Sequence, residues 1–327
     1  MISIEICAGA GGQALGLEQA GFRHIALIEI DINACATLRL NKPNWNVIQS
    51  DIKEYSAKNF EEIDLLAGGV PCPPFSIAGK QLGSGDERDL FPEAIRLARE
   101  CHPKAIMLEN VRGIFDSKFN DYRFFIIHQL ENLGYECSWR LINASHFGVP
   151  QLRPRAVLIA MKKKYFINFS WPNPNGTYPF SVGETLLQEM SRNGWEEAGL
   201  WAKRADTIAP TLVGGSKKHG GADLGPTRTK ATWLKLGVDA KGLADAPPPK
   251  GFCGLPKLTV EMTALLQGFP PEWRFSGRKT AAYRQVGNAF PPPVARALGE
   301  SIIAAIARTE GIEKMERMDY ETAGIAR

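Results

Sequence analysis

The sequence predicts an α/β fold: a doubly wound, mostly parallel sheet that carries a smaller, loop-rich domain. Two observations predict it. Short apolar runs alternate with helix-patterned segments through the first half of the chain, and near Phe169 that alternation gives way to Pro-, Asn- and Gly-rich sequence. The apolar runs fall at residues 2–7, 25–30, 47–49, 63–67, 105–108, 136–143 and 156–161. Helical spacing fills residues 15–20, 32–40, 92–101 and 122–133 between them. These place a first domain at residues 1–168. Weak periodicity with breaks at Trp171, Gly214 and Pro247 places a second at 169–258. Helical patterning at 259–266 and 293–307 reads as a return to the first domain over 259–310, and 311–327 reads as a fraying tail.

Composition narrows the functional classes. The 327 residues carry a net charge of only +4, but residues 201–257 hold ten Lys or Arg against four Asp. That local excess suits contact with phosphates and equally suits a solvated surface. Six cysteines, Cys7, Cys35, Cys72, Cys101, Cys137 and Cys253, form no C-x-x-C pair and match neither a zinc site nor a disulfide framework. The start lacks the basic and apolar regions of a signal peptide, and no run reaches the ~18 apolar residues of a membrane span. No metal and no membrane are expected, and the setting implied is a reducing cytoplasm.

Chemistry gathers after the strands, where ligands bind in open parallel sheets. The first run leads into Cys7-Ala8-Gly9-Ala10-Gly11-Gly12, the second ends in Glu29-Ile30, and the third leads to Asp51-Ile52. The fourth opens into Gly68-Gly69-Val70-Pro71-Cys72, and the fifth ends in Glu109-Asn110-Val111. The glycine turn permits close backbone approach but lacks G-x-G-x-x-G spacing, which counts against a dinucleotide pyrophosphate. Glu29 sits where an acid binds ribose hydroxyls, and Asp51 could hold an adenine amino group. A nucleoside without phosphates suits these features; S-adenosylmethionine is one. Cys72 differs from an ordinary buried cysteine because prolines fix it at a strand end, where a thiolate could act as a nucleophile. Glu109, if shielded from water, could serve as an acid near neutral pH.

Taken together these motifs resemble the DNA (cytosine-5) methyltransferases of bacterial restriction–modification systems, nearly end to end. Glu5 to Gly12 is similar to the first cofactor motif, Pro71-Cys72 to the nucleophile dipeptide, and Glu109-Asn110-Val111 to the acid motif. Gln151-Leu152-Arg153-Pro154-Arg155 resembles Q-x-R-x-R. Gln267-Gly268-Phe269-Pro270 and Gln285-Val286-Gly287-Asn288-Ala289 resemble the last two motifs. Glu5 and Cys7 depart from the usual Asp and Phe, and Pro73 replaces a common Gln.

The resemblance implies a methyl transfer from S-adenosylmethionine to carbon 5 of cytosine in duplex DNA. Cys72 would add to carbon 6, protonated Glu109 would relieve charge at N3, and Arg155, with Arg153 as a second candidate, would hold the O2 edge. Cofactor contacts would come from Cys7, Ala8, Gly9, Gly11, Gly12, Glu29, Ile30, Asp51, Ile52, Pro71, Leu90 and Asn288. The cytosine must leave the stack, and Ser76, Lys80 and Gln81 lie in the candidate closing loop. Thr211, Leu212, Gly214 and Gly215 resemble the core of a target-recognition segment, followed by Lys217, Lys218, Arg228 and Lys230 for bases or phosphates. A monomer and a functional pairing with a restriction endonuclease are expected. Three rival readings stand beside it: amino methylation, which needs no thiol; carbon-5 methylation of transfer RNA, opposed by the long basic domain; and a non-catalytic DNA-binding module, opposed by Cys72 and Glu109.

Overall fold

The computed structural model describes residues 1–71, 89–174, 180–214 and 221–324. Among them seven strands make one sheet: β1 (Ile2–Ile6), β2 (Arg23–Glu29), β3 (Val47–Gln49), β4 (Leu65–Gly69), β5 (Ala105–Val111), β6 (Tyr135–Asn143) and β7 (Pro154–Lys162). Their spatial order is β3-β2-β1-β4-β5-β7-β6. The first five run parallel; β7 pairs antiparallel with β5, and β6 antiparallel with β7. Each expected strand is present, and the antiparallel pair is the exception that "mostly parallel" allowed.

The sheet is buried on both faces, which is why its strands read as apolar runs. Ile4, Ile6, Leu66 and Leu108 pack under α3 (Phe91–Cys101) and α4 (Asn120–Glu131), through Ile95, Leu97, Ile126 and Leu130. On the other face Leu65, Ala67, Met107 and Val157 meet Leu17 of α1 (Gly12–Ala20) and Val294, Leu298 and Ile302 of α11 (Pro292–Gly324). Full burial of each such aliphatic side chain contributes about 1.5–3 kcal/mol. Helix α2 (Ile32–Asn41) starts where Asp31 accepts the amides of Asn33 and Ala34, a side-chain N-cap.

Three features mark the second half. First, the loop-rich stretch also carries the short helices α6 (Val182–Ser191), α7 (Ala198–Arg204) and α8 (Thr227–Lys235). The sequence did carry a signal for α6: Ser181 and Glu184 form a reciprocal capping box. Second, both expected boundaries of that domain fall inside packed clusters. Val182, Leu186, Trp201, Leu212 and Trp233 share one apolar cluster with Leu258, Met262 of α9 (Val260–Leu266) and Tyr283 of α10 (Lys279–Asn288). Phe169 and Trp171, at the other boundary, pack against the α11 face of the sheet. Third, α11 continues to Gly324, through most of the expected tail. Among the described residues no helix is long and apolar enough to cross a membrane.

The return to the first domain is a close one. The Phe290 carbonyl lies so near Gly12 that a Cβ there would be 2.3 Å from it. Residues 289–290 therefore back directly onto the glycine turn that follows β1.

Candidate active site

Strand order reverses between β1 and β4, and the cleft beyond their carboxyl ends is where an α/β sheet binds ligands. On one side stands the glycine turn. Cys7 adopts a φ of 51°, a left-handed conformation rare for a side-chain-bearing residue. Burial and the nearby Glu29, Asp51 and Glu5 carboxylates push its thiol far above the ordinary range, which favours the protonated thiol. Glu29 is fixed before any ligand arrives: one oxygen accepts the Gly9 amide at 2.7 Å and the other the Asp31 amide at 2.8 Å. A carboxylate has about four acceptor positions, so two remain for hydroxyl donors. Beside it Ile30 leaves 63% of its surface exposed, an apolar face next to an acidic one. Asp51 turns the chain after β3, accepting the Lys53 amide at 3.0 Å, while Ile52 is buried beneath it. An exposed aliphatic surface, two carboxylates and a glycine turn suit a purine nucleoside.

On the other side of the cleft stands Glu109, in register with Gly69 at the end of β4. Its carboxyl is 8% exposed and meets the Arg155 Nε at 2.8 Å. Burial raises its pKa above the ordinary carboxylate value, and the Arg155 and Arg153 guanidinium groups restrain that rise. Arg155 is disfavoured as a cation by the same burial. The shift is in the direction that favours the protonated carboxyl. The neighbouring Asn110 donates from Nδ2 to the Val70 carbonyl at 2.8 Å and accepts the Val111 amide at 2.8 Å. It thereby ties the end of β5 to the segment that enters Pro71. Pro71 is exposed, and Leu90, half-buried, precedes α3.

Several expected site residues lie outside the described residues: Cys72, Ser76, Lys80, Gln81, Gly215, Lys217 and Lys218. Four others, Arg153, Leu212, Thr211 and Gly214, make contacts within the protein. Arg153 does not join Arg155 at the mouth of the site. It is wholly buried; Nη1 donates to the Leu212 carbonyl, and Nη2 to the Gly287 and Ala289 carbonyls, all at 2.8 Å. It is a clamp between segments. Leu212, expected at DNA, is buried in the second domain's core, and its amide donates to Gln151 Oε1 at 2.9 Å. The Thr211 hydroxyl is likewise committed, donating to the Leu152 carbonyl. Gly214 lies backbone to backbone with Gly287, and a Cβ on Gly287 would come within 2.3 Å of the Gly214 nitrogen. Asn288 is exposed at the end of α10, beside Gly214 and next in sequence to the residues that cover Gly12. Of the basic candidates, Arg228 is exposed, whereas Lys230 pairs with Asp223 at 2.8 Å.

What the sequence reading did not anticipate is a buried glutamine pair. Gln151 Nε2 donates to Gln267 Oε1 at 2.7 Å and to the Leu266 carbonyl at 3.0 Å, and Gln267 Nε2 donates to the Ala289 carbonyl. Both residues were visible as motif members. Their acceptors, mostly backbone carbonyls, carry no sequence signal.

Comparison with known proteins identifies the family. The family described as C-5 cytosine-specific DNA methylase matches residues 1–219 and 248–304. The chain is 58% identical over 309 residues to the Type II methyltransferase M.NaeI of Lentzea aerocolonigenes, covering 93% of this chain and 75% of that one. It is 56% identical over 307 residues to the Type II methyltransferase M.NgoMIV of Neisseria gonorrhoeae, covering 93% and 97%. The fold matches a prophage-encoded DNA modification methyltransferase of E. coli with a TM-score of 0.67 at 24% identity, over 94% and 99% of the two chains. It also matches the S. pombe Dnmt2 methyltransferase with a TM-score of 0.63 at 19% identity, over 94% and 99%. The chain belongs to the C-5 cytosine-specific DNA methylases, and its reaction is methylation of cytosine in DNA at carbon 5.

Proposed function

We propose that the chain methylates cytosine within a specific duplex DNA sequence, with S-adenosylmethionine as donor and Cys72 as covalent nucleophile. The observation that carries this reading is the buried Glu109–Arg155 pair beside β4, the strand whose sequence continues through Pro71 to Cys72. When bound, the cofactor supplies an electrophilic methyl on a sulfonium. The chain's own residues would hold it thus: Glu29 accepts the ribose hydroxyls, Ile30 and Ile52 flank the purine, Asp51 accepts its amino group, and the Gly9–Gly12 turn gives way to the rest. Cys7, Ala8, Pro71, Leu90 and Asn288 complete the same cleft.

On the substrate side, Cys72 gives its thiol proton to solvent and adds as thiolate to carbon 6, which turns carbon 5 into an enamine-like nucleophile. Charge then builds toward N3, where the Glu109 carboxyl donates its proton or a hydrogen bond. The Arg155 guanidinium lies within reach of the same edge and holds O2. After the methyl is in place, loss of the carbon 5 proton to solvent expels the thiolate, any proton given to N3 returns to Glu109, and the ring is restored. All this requires the base outside the helix, at a cost of a few kcal/mol. Arg153 enters only by holding the second domain to the first.

The basic second domain then reads the sequence, with Arg228, Lys217 and Lys218 as candidate contacts. DNA is favoured over transfer RNA because the relatives at 56–58% identity are Type II methyltransferases. The same names support a partnership with a restriction endonuclease; the enzyme itself we take to act as a monomer in the cytoplasm. Duplex DNA carrying 5-fluorocytosine at the target tests the mechanism, because fluorine cannot leave as a proton does. A denaturation-resistant adduct lost in Cys72→Ala is expected. Methylation without any adduct would refute the covalent route.

A further inference from the structure

We propose that Arg96, on the outer face of α3, is a positioning residue for the cofactor, through its grip on the loop after β3. The inference rests on the cofactor reading above and extends it to a side chain that touches neither substrate nor cofactor.

The loop is held by short turn bonds of its own, from the Glu54 amide to the Asp51 carbonyl at 3.0 Å and from the Tyr55 amide to the Ile52 carbonyl at 3.3 Å, and lacks a strand ladder. β3 is three residues long and lies at the sheet's edge, with β2 its sole strand partner. The Ser50 amide makes a last bond to the Glu29 carbonyl at 3.1 Å, and there the ladder ends. Asp51 and Ile52, the residues assigned to the purine, follow at once. Below the loop Ile52 and Ala57 enter the core, which anchors two side chains but leaves the carbonyls between them without sheet partners.

Arg96 supplies those partners. Its Nη2 donates to the Ile52 and Tyr55 carbonyls, both at 2.9 Å. Its Nε donates to Glu93 and its Nη1 to Glu100, both at 2.7 Å, so the guanidinium is locked to its own helix. Glu100 reaches the same loop from the far end: its second oxygen accepts the Ala57 amide at 2.7 Å and the Ser56 hydroxyl at 3.0 Å. Four of the loop's polar groups, on Ile52, Tyr55, Ser56 and Ala57, are thus held by two side chains one helical turn apart. A planar, fully ionised fork suits this task where a lysine would not. The other end of α3 is fixed too: Asp89 accepts the Phe91 amide and the Tyr122 hydroxyl, which sets Leu90 beside the same cleft. One rigid helix therefore positions both Leu90 and the Asp51–Ile52 pair. Arg96 keeps 30% of its side-chain surface exposed, so its removal opens no core cavity.

The test uses the full-length enzyme and S-adenosylhomocysteine, titrated by calorimetry without DNA. Wild type should bind; if it does not, the cofactor reading itself falls. Releasing the loop adds its ordering cost to each binding event, so Arg96→Leu should weaken binding by about tenfold. The KM for S-adenosylmethionine should rise in parallel while kcat at saturating cofactor holds. Glu100→Ala, which frees the Ser56 end, should weaken binding in the same direction and carries the test if the arginine variant does not fold. Glu93→Ala, which touches Arg96 but not the loop, should bind as wild type does. Unchanged affinity in both Arg96→Leu and Glu100→Ala would overturn the proposal, as would a fall in kcat with KM unaltered. An equal loss in Glu93→Ala would also overturn it, since helix stability would then be the cause.

Discussion

Replacing Arg153 by Met should cost about 3 kcal/mol of folding stability, and the structure shows where the loss arises. The guanidinium has no exposed surface and serves three carbonyls. The Ala289 carbonyl keeps a donor in Gln267, so the substitution strands two acceptors, on Leu212 and Gly287. Each stranded buried carbonyl costs about 1–3 kcal/mol, or roughly 2–6 together. Against this, a buried cation disappears, and its desolvation cost is recovered in part. Leu212 belongs to one apolar cluster, and Val286 and Ala289, which flank Gly287, belong to another, so the damage falls on the joint between those clusters. Urea denaturation followed by far-ultraviolet circular dichroism and by tryptophan fluorescence would measure it. Trp201 and Trp233 report on the second domain, while Trp139 reports on the first. The two signals should separate into distinct transitions in the variant. A stability loss below about 1 kcal/mol would show that the three hydrogen bonds contribute little net stability, and would refute the clamp.

Other consequences are simpler to check. Cys72→Ala should retain DNA binding in a gel-shift assay and lose methyl transfer; residual activity above about a tenth of wild type would reject the nucleophile. Gly287→Ala should lower the melting temperature, because its Cβ would overlap the Gly214 backbone, a contact that costs about 1–3 kcal/mol to relieve. Glu5 is 1% exposed, with one oxygen lacking any partner, and burial raises its pKa well above the carboxylate range. The folded state thus binds the Glu5 proton more tightly than the unfolded state does. The stability this confers is complete below the unfolded-state pKa and lost as pH rises through the folded one, at up to about 1.4 kcal/mol per pH unit. Glu5→Gln should therefore match wild type at acid pH and exceed it increasingly toward alkaline pH in urea titrations; a constant difference would refute the assignment. Exchanging residues 169–258 for those of a relative should redirect methylation to that relative's site, read by methylation-sensitive sequencing.

The sheet was legible because its strands are buried on both faces, so runs such as Leu65-Leu66-Ala67 stand out without any partner being known. The strand-end chemistry was legible for the related reason that Glu29 and Glu109 directly follow such runs. The second domain was not. Its helices are short, and Trp195, Trp201 and Trp233 bury large areas from widely spaced positions, which leaves little periodicity to read. Arg153 shows the deeper limit. It shares a motif and a two-residue spacing with Arg155, yet Arg155 meets a carboxylate and Arg153 meets carbonyls from residues 212, 287 and 289. Backbone acceptors look alike at every position, so only the folded chain distinguishes the two arginines. The burial of Leu212 was hidden likewise, because a leucine beside basic loop residues does not announce that it is core.

The seam between the first and last helices has a bearing on how the enzyme is made. Gly12 abuts the Phe290 carbonyl, and a Cβ on Gly16 would lie 2.2 Å from the Pro292 carbonyl. The buried side of α1 is thus covered by a helix far along the chain, and it waits for α11 to be made. Until then Leu17 of α1 lacks the cover that Val294, Leu298 and Ile302 provide, so α11 is needed to complete that side of the core.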